Sequence, residues 1–395
     1  MEQTWRWFGD DDPISLGHVK QAGATGIVTA LHQIPVGAVW SPEDISRRKA
    51  RIEASGLTWS VCESIPVADA IKRGGAEARP FIDAWKDTLA NLGRAGVSVV
   101  CYNFMPVVDW TRTDLAYPMP TTGLALRFDI IDFIGYDVFV LKRPAAPDSY
   151  DPALVAAAES KIAAKSAEQI ARLETNIIAG LPGGADARTR DSIATLIASF
   201  KGLGEEDMRA NLAAFVREVT PIAEEVGVRL GIHPDDPPFP LFGLPRIVST
   251  AQDARSILDA ADSAANGLTF CVGSFGSRAD NDVAAMAREF APRINFAHLR
   301  NVAVEPDGSF HEAEHLDGGS DMVAIIATLI KEERATLAAG RPRTIPMRPD
   351  HGHLLADDIG KKTNPGYSYV GRLKGLAELR GVMRAVDRPG SAIEP

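Results

Sequence analysis

Eight short β-prone runs recur along this sequence, and stretches with helical spacing separate most of them. The runs cover residues 4–8, 26–31, 57–62, 97–102, 228–232, 267–270, 294–297 and 344–347. Strands that alternate with helices across short turns are typical of βα units and a parallel sheet. Eight such units predict a (β/α)8 barrel, the TIM-barrel architecture.

Helix-start signals between the runs support this prediction. Ser41-Pro42-Glu43-Asp44 combines an N-cap serine, a proline at the first helical position and an acid three residues after the cap. The main rival is a doubly wound open sheet, but no Gly-x-Gly-x-x-Gly follows an early run, which weakens a dinucleotide-binding reading. We therefore expect one TIM-barrel domain over residues 1–395.

The alternation is interrupted once, after the fourth run. No clear buried strand is found from about residue 107 to 226, whereas residues 153–173 and 207–227 have helical spacing. This pattern predicts a largely helical insertion at 107–226 after strand 4, within the barrel domain. A lid and an oligomer contact are the two roles that the sequence leaves open for it.

Charge and cysteine content restrict the function class. The net charge is -10 and the pI about 5.4, which argues against a general nucleic-acid or membrane-surface role. The 3 cysteines are far apart, as expected in a reducing compartment. The first residues lack the pattern of a signal peptide, and no apolar run is long enough to span a bilayer. We expect a cytoplasmic protein that acts on a small molecule.

A potential metal ligand follows each of the last four runs. Strand ends meet at one rim of a barrel, and neighbouring strands lie about 4.8 Å apart, so the four side chains can converge on one ion. Each residue alone has an ordinary explanation, as a structural histidine, a buried thiol or a helix cap. Together they predict a mixed site for a divalent cation, with zinc, manganese and iron all open. The predicted ligands are His233, Cys271, His298 and Asp350.

Other polar side chains are expected at the same rim. Adjacent side chains in extended chain point to opposite sides, so His351 is free to act as acid or base if Asp350 binds the metal. Tyr367, on the loop after the last run, is a second candidate for proton transfer. Arg300 and Arg348 lie within two residues of predicted ligands and suit bidentate binding of a carboxylate. His32, at the end of run two, is a further candidate for substrate contact.

Several long motifs resemble the D-mannonate dehydratase family. They span nearly the whole chain and include Asn103-Phe-Met-Pro106, Ile232-His-Pro-Asp-Asp-Pro-Pro238, Cys271-Val-Gly-Ser274, His298-Leu-Arg-Asn301, Arg348-Pro-Asp-His-Gly-His353 and Lys361-Lys-Thr-Asn-Pro-Gly-Tyr367. The resemblance implies a TIM barrel that binds Mn2+ or Fe2+ and converts D-mannonate to 2-dehydro-3-deoxy-D-gluconate in hexuronate breakdown. We also expect a homo-oligomer, a dimer or a tetramer.

The family's functional residues match positions of this sequence one by one. The resemblance implies that His233, Cys271, His298 and Asp350 hold the metal and that His351 and Tyr367 are catalytic. We expect substrate binding by Arg300, Asn301, Arg348 and His32. Two alternatives remain at this stage: a metal-dependent sugar isomerase on the same barrel, and a non-catalytic protein that binds a sugar acid.

Overall fold

The computed structural model describes residues 1–178 and 189–388. Eight parallel strands, numbered in chain order with the other strands, close into a barrel. They are β1 (Glu2–Arg6), β2 (Gly26–Thr29), β3 (Thr58–Glu63), β4 (Val99–Tyr102), β7 (Arg229–Ile232), β8 (Leu268–Cys271), β9 (Ile294–His298) and β12 (Pro346–Arg348). Each strand pairs with the next in this order, and β12 pairs with β1. The predicted TIM barrel is confirmed, and the open-sheet alternative is wrong.

Helices surround the barrel in the described part of the chain. Ser41 caps one of them as expected, because its side chain accepts a hydrogen bond from Asp44 N and Pro42 is the first helical residue. The helices that connect barrel strands are α1 (Leu16–Ala22), α2 (Pro42–Glu53), α3 (Asp69–Arg73), α4 (Arg79–Arg94), α9 (Glu205–Glu225), α10 (Ala251–Ala260), α11 (Val272–Gly276), α12 (Val283–Phe290) and α13 (Met322–Ala338), and α14 (Tyr369–Val386) follows the last strand. None of the described helices is both long enough and apolar enough to cross a membrane.

The inside of the barrel changes from apolar to charged toward the carboxyl ends of the strands. A compact apolar cluster fills the middle with Val28, Val61, Val99, Cys101 and Phe296. Side chains two positions apart on a strand point the same way, so the next inward residues of β3 and β9 are Glu63 and His298. Burial of the apolar layer stabilises the closed barrel, while the layer above it supplies polar groups for a site.

The segment between β4 and β7 contains strands that the sequence analysis missed. Strands β5 (Asp114–Pro118) and β6 (Leu124–Phe128) form a hairpin, and β6 pairs antiparallel with β11 (Phe310–Glu312), which pairs with β10 (Val302–Val304). The sequence pattern shows no clear buried strand here because the two strands are short and half of the sheet that they join comes from residues after β9. Short, partly exposed strands carry no continuous apolar signal.

Helices make up most of the same segment. Four of the helices in its described residues lie outside the ring of barrel helices: α5 (Ile130–Gly135), α6 (Pro152–Ala163), α7 (Ala167–Ile178) and α8 (Arg190–Ala198). Helix α9 contacts α3, α4 and α10 and so belongs to the outer layer of the barrel. The chain at 107–226 therefore contributes one barrel helix in addition to the accessory hairpin and helices.

Candidate active site

The four predicted ligands lie together at the carboxyl ends of the barrel strands. His233 follows β7 directly, Cys271 and His298 end β8 and β9, and Asp350 comes two residues after β12. Donor atoms of His233, Cys271 and His298 all lie within 4.8 Å of one another. The Oδ2 atom of Asp350 is 3.7 Å from His298 Nδ1 and 3.9 Å from Cys271 Sγ. Three groups thus form a tight cluster, and the carboxylate touches two of them.

The spacing and chemistry of these donors suit one divalent cation. The Nε2 atom of His233 is 3.1 Å from His298 Nδ1. Ligands about 2.0–2.3 Å from a shared ion are separated from each other by about 3–4 Å. Two imidazole nitrogens, a sulfur and a carboxylate oxygen form a donor set for a transition metal. The residues present therefore fit a bound metal ion.

Neighbouring groups prepare two of the donors for this role. The Nδ1 atom of His233 is 2.6 Å from the carbonyl oxygen of Pro234, which only accepts, so Nδ1 carries the proton and the Nε2 lone pair faces His298. Burial lowers the pKa of His233 and so favours the neutral ring. At Cys271, the backbone N–H and hydroxyl of Ser274 donate to Sγ at 3.4 Å and 3.2 Å, which suits a thiolate.

Asp350 is held as a carboxylate between arginines. Its φ of 62° is uncommon for a residue other than glycine, although aspartate tolerates it better than most. Arg348 donates to Oδ1, and Arg300 Nε donates to Oδ2 at 3.0 Å. Burial opposes ionisation, but Arg348, the nearby histidines and Arg300 outweigh it and hold the pKa of Asp350 well below its usual range. Asp350 is therefore an anionic ligand at neutral pH.

The two predicted catalytic residues contact each other beside the metal-ligand cluster. The rings of His351 and Tyr367 meet edge to face with centroids 5.2 Å apart. His351 Nε2 is 3.6 Å from Asp350 Oδ1, and His351 Nδ1 is 3.0 Å from Glu312 Oε1. Burial raises the pKa of Tyr367 to about 12, so its phenol keeps its proton at neutral pH. The imidazole of His351, a candidate base, thus lies beside the neutral phenol of Tyr367.

A buried arginine fixes the backbone that carries Tyr367. Arg372, on α14, donates to the carbonyl oxygens of Tyr367 and Ser368 at 3.0 Å each and to that of Arg6 at 2.8 Å. Burial lowers the pKa of Arg372 to about 9. Gly366 precedes the tyrosine with a φ of 79°, and a Cβ at this position would lie 3.0 Å from the His351 ring. Helix α14 therefore holds the backbone of the loop that carries Tyr367.

Two of the residues predicted to bind substrate are engaged with acids of the site. Arg300, besides Asp350, donates to Glu312 at 3.0 Å and 3.2 Å and also contacts Asp236. Arg348 joins Asp350 to Glu63, with Nη2 2.9 Å from Oε1. The Nε atom of Arg348 is buried and has no hydrogen-bond partner within residues 1–178 and 189–388.

The other two residues of that group differ in their surroundings. Asn301 donates to the carbonyl oxygen of Ser320 at 2.9 Å and accepts from the backbone N–H of Ser320 at 3.1 Å, so it folds the loop after β9. His32 is partly exposed, and its ring centroid is 5.9 Å from Phe8, whose ring packs edge to face on Tyr367 at 4.9 Å. His32 thus lies on the rim near Tyr367, while Asn301 is occupied by backbone partners.

Sequence reasoning missed several charged residues of this centre. Glu63 ends β3 as the ligands end their strands, and its Oε1 is 3.6 Å from His298 Nε2, so its position at a strand end could have identified it. Arg112 lies 200 residues from Glu312 along the chain, and no local signal joins the two. We call the eight alternating charges the arginine–carboxylate network: Arg6, Glu63, Arg348, Asp350, Arg300, Asp236, Glu312 and Arg112.

Comparisons with known proteins agree on one family. The family model described as D-mannonate dehydratase (UxuA) matches residues 1–392. The chain is 65% identical over 388 residues to mannonate dehydratase 2 of Agrobacterium fabrum, with 98% of each chain covered. It is 54% identical over 389 residues to mannonate dehydratase of Saccharophagus degradans, again with 98% of each covered. The crystal structure of mannonate dehydratase from Streptococcus suis serotype2 is similar with a TM-score of 0.79 and 34% identity, covering 100% of this chain and 97% of that one.

Proposed function

Because the chain belongs to the D-mannonate dehydratase family, we propose that its barrel mouth removes water from D-mannonate on a bound divalent cation. The chain is a hydro-lyase whose product is 2-dehydro-3-deoxy-D-gluconate, formed in hexuronate breakdown. We place the reaction at the barrel mouth because His233, Cys271 and His298 form a cluster there, with donor atoms within 4.8 Å of one another. No comparison favours an isomerase or a non-catalytic binding protein.

The enzyme is metal-dependent, and we assign Mn2+ or Fe2+ to the site formed by His233, Cys271, His298 and Asp350. Imidazole, thiolate and carboxylate donors together accept either ion. When bound, the cation supplies a Lewis acid that stabilises negative charge as it develops next to the substrate carboxylate. Glu63, beside His298 Nε2, orients that imidazole as an outer carboxylate partner.

His351 and Tyr367 divide the proton transfers. The Nε2 atom of His351 takes the C2 proton, and the electron pair of that C–H bond becomes the C2–C3 double bond. The C3–O bond breaks, and the phenol of Tyr367 gives its proton to the departing oxygen, which leaves as water. The resulting enol then tautomerises to the 2-keto product. This division follows from the raised pKa of Tyr367, which keeps the phenol protonated, and from the Glu312 contact at His351 Nδ1.

Substrate binding completes the proposal. The free buried Nε of Arg348 offers a charged donor to the sugar-acid carboxylate, and His32 at the rim offers a ring nitrogen to the hydroxyl-bearing end. Arg300 and Asn301 act on the substrate by shaping the pocket wall, since their donors already have protein partners. The ligand is a small sugar acid, and we assign the protein to the cytoplasm as a homo-oligomer, a dimer or a tetramer.

A product assay tests this function. Purified protein, stripped of metal and reloaded with Mn2+, Fe2+, Mg2+ or Zn2+ under reducing conditions, is mixed with D-mannonate. We expect a 2-keto-3-deoxy acid with Mn2+ or Fe2+, and its loss in His351→Ala with metal content retained. A ketose isomer without release of water would contradict the proposal, and so would binding of D-mannonate without turnover with any of these ions.

A further inference from the structure

Glu312 forms a buried pair with the proposed base. Its Oε1 atom is 3.0 Å from His351 Nδ1, and both residues are at most 5% exposed. Glu312 ends β11, a strand of the accessory sheet, whereas His351 lies on the loop after β12. The pair therefore joins two parts of the chain that are separate in the barrel topology.

Glu312 remains ionised in this position. Burial opposes the charge, but Arg300, His351 and Arg112 outweigh it and hold the pKa of Glu312 well below its usual range. An ionised carboxylate only accepts hydrogen bonds, so Nδ1 of His351 carries the proton and donates a hydrogen bond to Oε1 of Glu312. In the neutral ring the lone pair then resides on Nε2, the nitrogen that lies 3.6 Å from Asp350.

The insertion after β4 holds Glu312 in place. Arg112 is fully buried and bridges Glu312 Oε1 at 2.9 Å to both carboxylate oxygens of Asp236, at 2.7 Å and 3.1 Å. The guanidinium lies 4.8 Å from the ring centroid of Phe310, two residues before Glu312. Trp110, also from this segment, packs edge to face on His351 with ring centroids 5.8 Å apart.

The β5–β6 hairpin binds both sides of the pair through its backbone. Residues of β6 pair with β11 at Phe128↔Phe310 and at Arg127↔His311, the residue before Glu312. Leu124, at the start of β6, exchanges two backbone hydrogen bonds with Leu354 at 3.0 Å and 2.8 Å, three residues after His351. One hairpin thus fixes the strand that carries the carboxylate and the loop that carries the imidazole.

We propose that Glu312 is the positioning residue for His351 and that the insertion, through Arg112 and the β5–β6 hairpin, serves to hold this pair in register. The inference rests on the proposed role of His351 as base. It gives the insertion a function in catalysis that neither the lid nor the oligomer contact requires. A carboxylate behind the imidazole fixes its tautomer and its angle to substrate, as outer partners do for ligand histidines.

Two substitutions separate positioning from simple charge balance. Glu312→Gln keeps the size of the side chain and removes its charge, while Glu312→Asp keeps the charge and withdraws it by about 1.5 Å from His351 and from the two arginines. We expect each variant to lose about 10- to 100-fold in kcat, with little change in KM and with metal content retained. Loss of metal in either variant would overturn the proposal, as would a kcat of Glu312→Asp within about twofold of the parent.

A matched control lies on the same sheet. Glu305 faces Arg127 of β6 at 2.7 Å and is 3.7 Å from His311 Nδ1, so it repeats the carboxylate, arginine and histidine arrangement away from the site. Glu305→Gln is expected to keep kcat. If Glu305→Gln lowers kcat as much as Glu312→Gln does, the loss of kcat arises from a general disturbance of the sheet and the proposal is overturned.

A double variant tests whether Glu312 acts through His351. If it does, His351→Ala/Glu312→Gln turns over no more slowly than His351→Ala, because the group that Glu312 positions is already gone. An additional loss in the double variant overturns the inference and leaves the proposed base intact. Full turnover in His351→Ala instead overturns the proposed function. If both Glu312 variants fail to fold, Glu312 is required for folding, and the proposal that it positions His351 is overturned.

Discussion

Tyr367 shows how burial sets the protonation state of a single side chain. The ring is 4% exposed, packs on His351 and Phe8, and has the guanidinium carbons of Arg348 and Arg372 5.9 Å and 5.3 Å from its centroid. Burial disfavours the phenolate, and the pKa of about 12 lies above that of an ordinary tyrosine. The neutral phenol therefore persists at any pH below about 11. In the proposed mechanism, this phenol gives its proton to the departing oxygen.

Replacement of this phenol is the prediction at the residue scale. Tyr367→Phe is expected to lower kcat by about 10²- to 10⁴-fold, because general acid catalysis is lost while the ring packing remains. Metal content should equal that of the parent. Tyr369→Phe is the matched control, since that hydroxyl only donates to the His18 carbonyl oxygen at 3.2 Å. Steady-state assays and metal analysis of both variants test this prediction. Unchanged turnover in Tyr367→Phe would show that the phenol takes no part in the mechanism.

At the scale of elements, helix α14 braces the loop that carries Asp350 and His351. Gly375 on this helix lies against the His315 ring, and a Cβ there would be 2.2 Å from the nearest ring atom. His315 Nε2 is 2.8 Å from the carbonyl oxygen of Pro349, the residue before Asp350. Because Gly375 has no side chain, α14 packs directly against His315. His315 in turn contacts Pro349, at the start of the loop.

A methyl group on α14 tests this bracing. Gly375→Ala should displace His315 and lower stability by about 1–3 kcal/mol through overpacking, with weaker metal binding as Pro349 loses its partner. Gly381→Ala, on the same helix with open space around its Cβ position, should instead add about 0.5–1 kcal/mol. Urea unfolding and metal titration of the two variants measure both effects. Equal stability and equal metal affinity in the two variants would show that the close contact is unimportant.

The elements also show what the sequence could predict. Strand ends of a parallel barrel share one rim, so the potential ligands at or just after the ends of β7, β8, β9 and β12 were expected to meet, and the structure places them together. The accessory sheet could not be derived, because β6 and β11 are joined across about 180 residues and neither carries a strong apolar pattern. Arg112 and Glu312 meet through that sheet, which is why the carboxylate behind His351 was not anticipated.

On the scale of the whole molecule, buried charge is concentrated at one end of the barrel. The arginine–carboxylate network contains four arginines and four acids that alternate in space and balance one another. Buried pairs of this kind contribute little net stability, although loss of one partner is costly. Their value here is a rigid, preorganised rim for a cation and an anionic substrate.

Removal of the metal should therefore lower the stability of the whole folded protein. A ligand that binds only the folded state stabilises it by about 2.7 kcal/mol at a concentration 100 times its Kd. We expect chelation to lower Tm and readdition of Mn2+ or Fe2+ to restore it. In Cys271→Ser the same additions should give a smaller shift. Identical melting curves for stripped and reloaded protein would indicate that no cation binds the native state tightly.

The position of the cation is the most direct test of the central claim. Anomalous scattering from crystals of the Mn2+-loaded protein, measured on both sides of the manganese edge, locates the ion independently of activity. We predict one strong peak about 2.0–2.4 Å from His233 Nε2, Cys271 Sγ, His298 Nδ1 and an Asp350 oxygen. A peak elsewhere in the barrel, or one that leaves out two or more of these four atoms, would contradict the account.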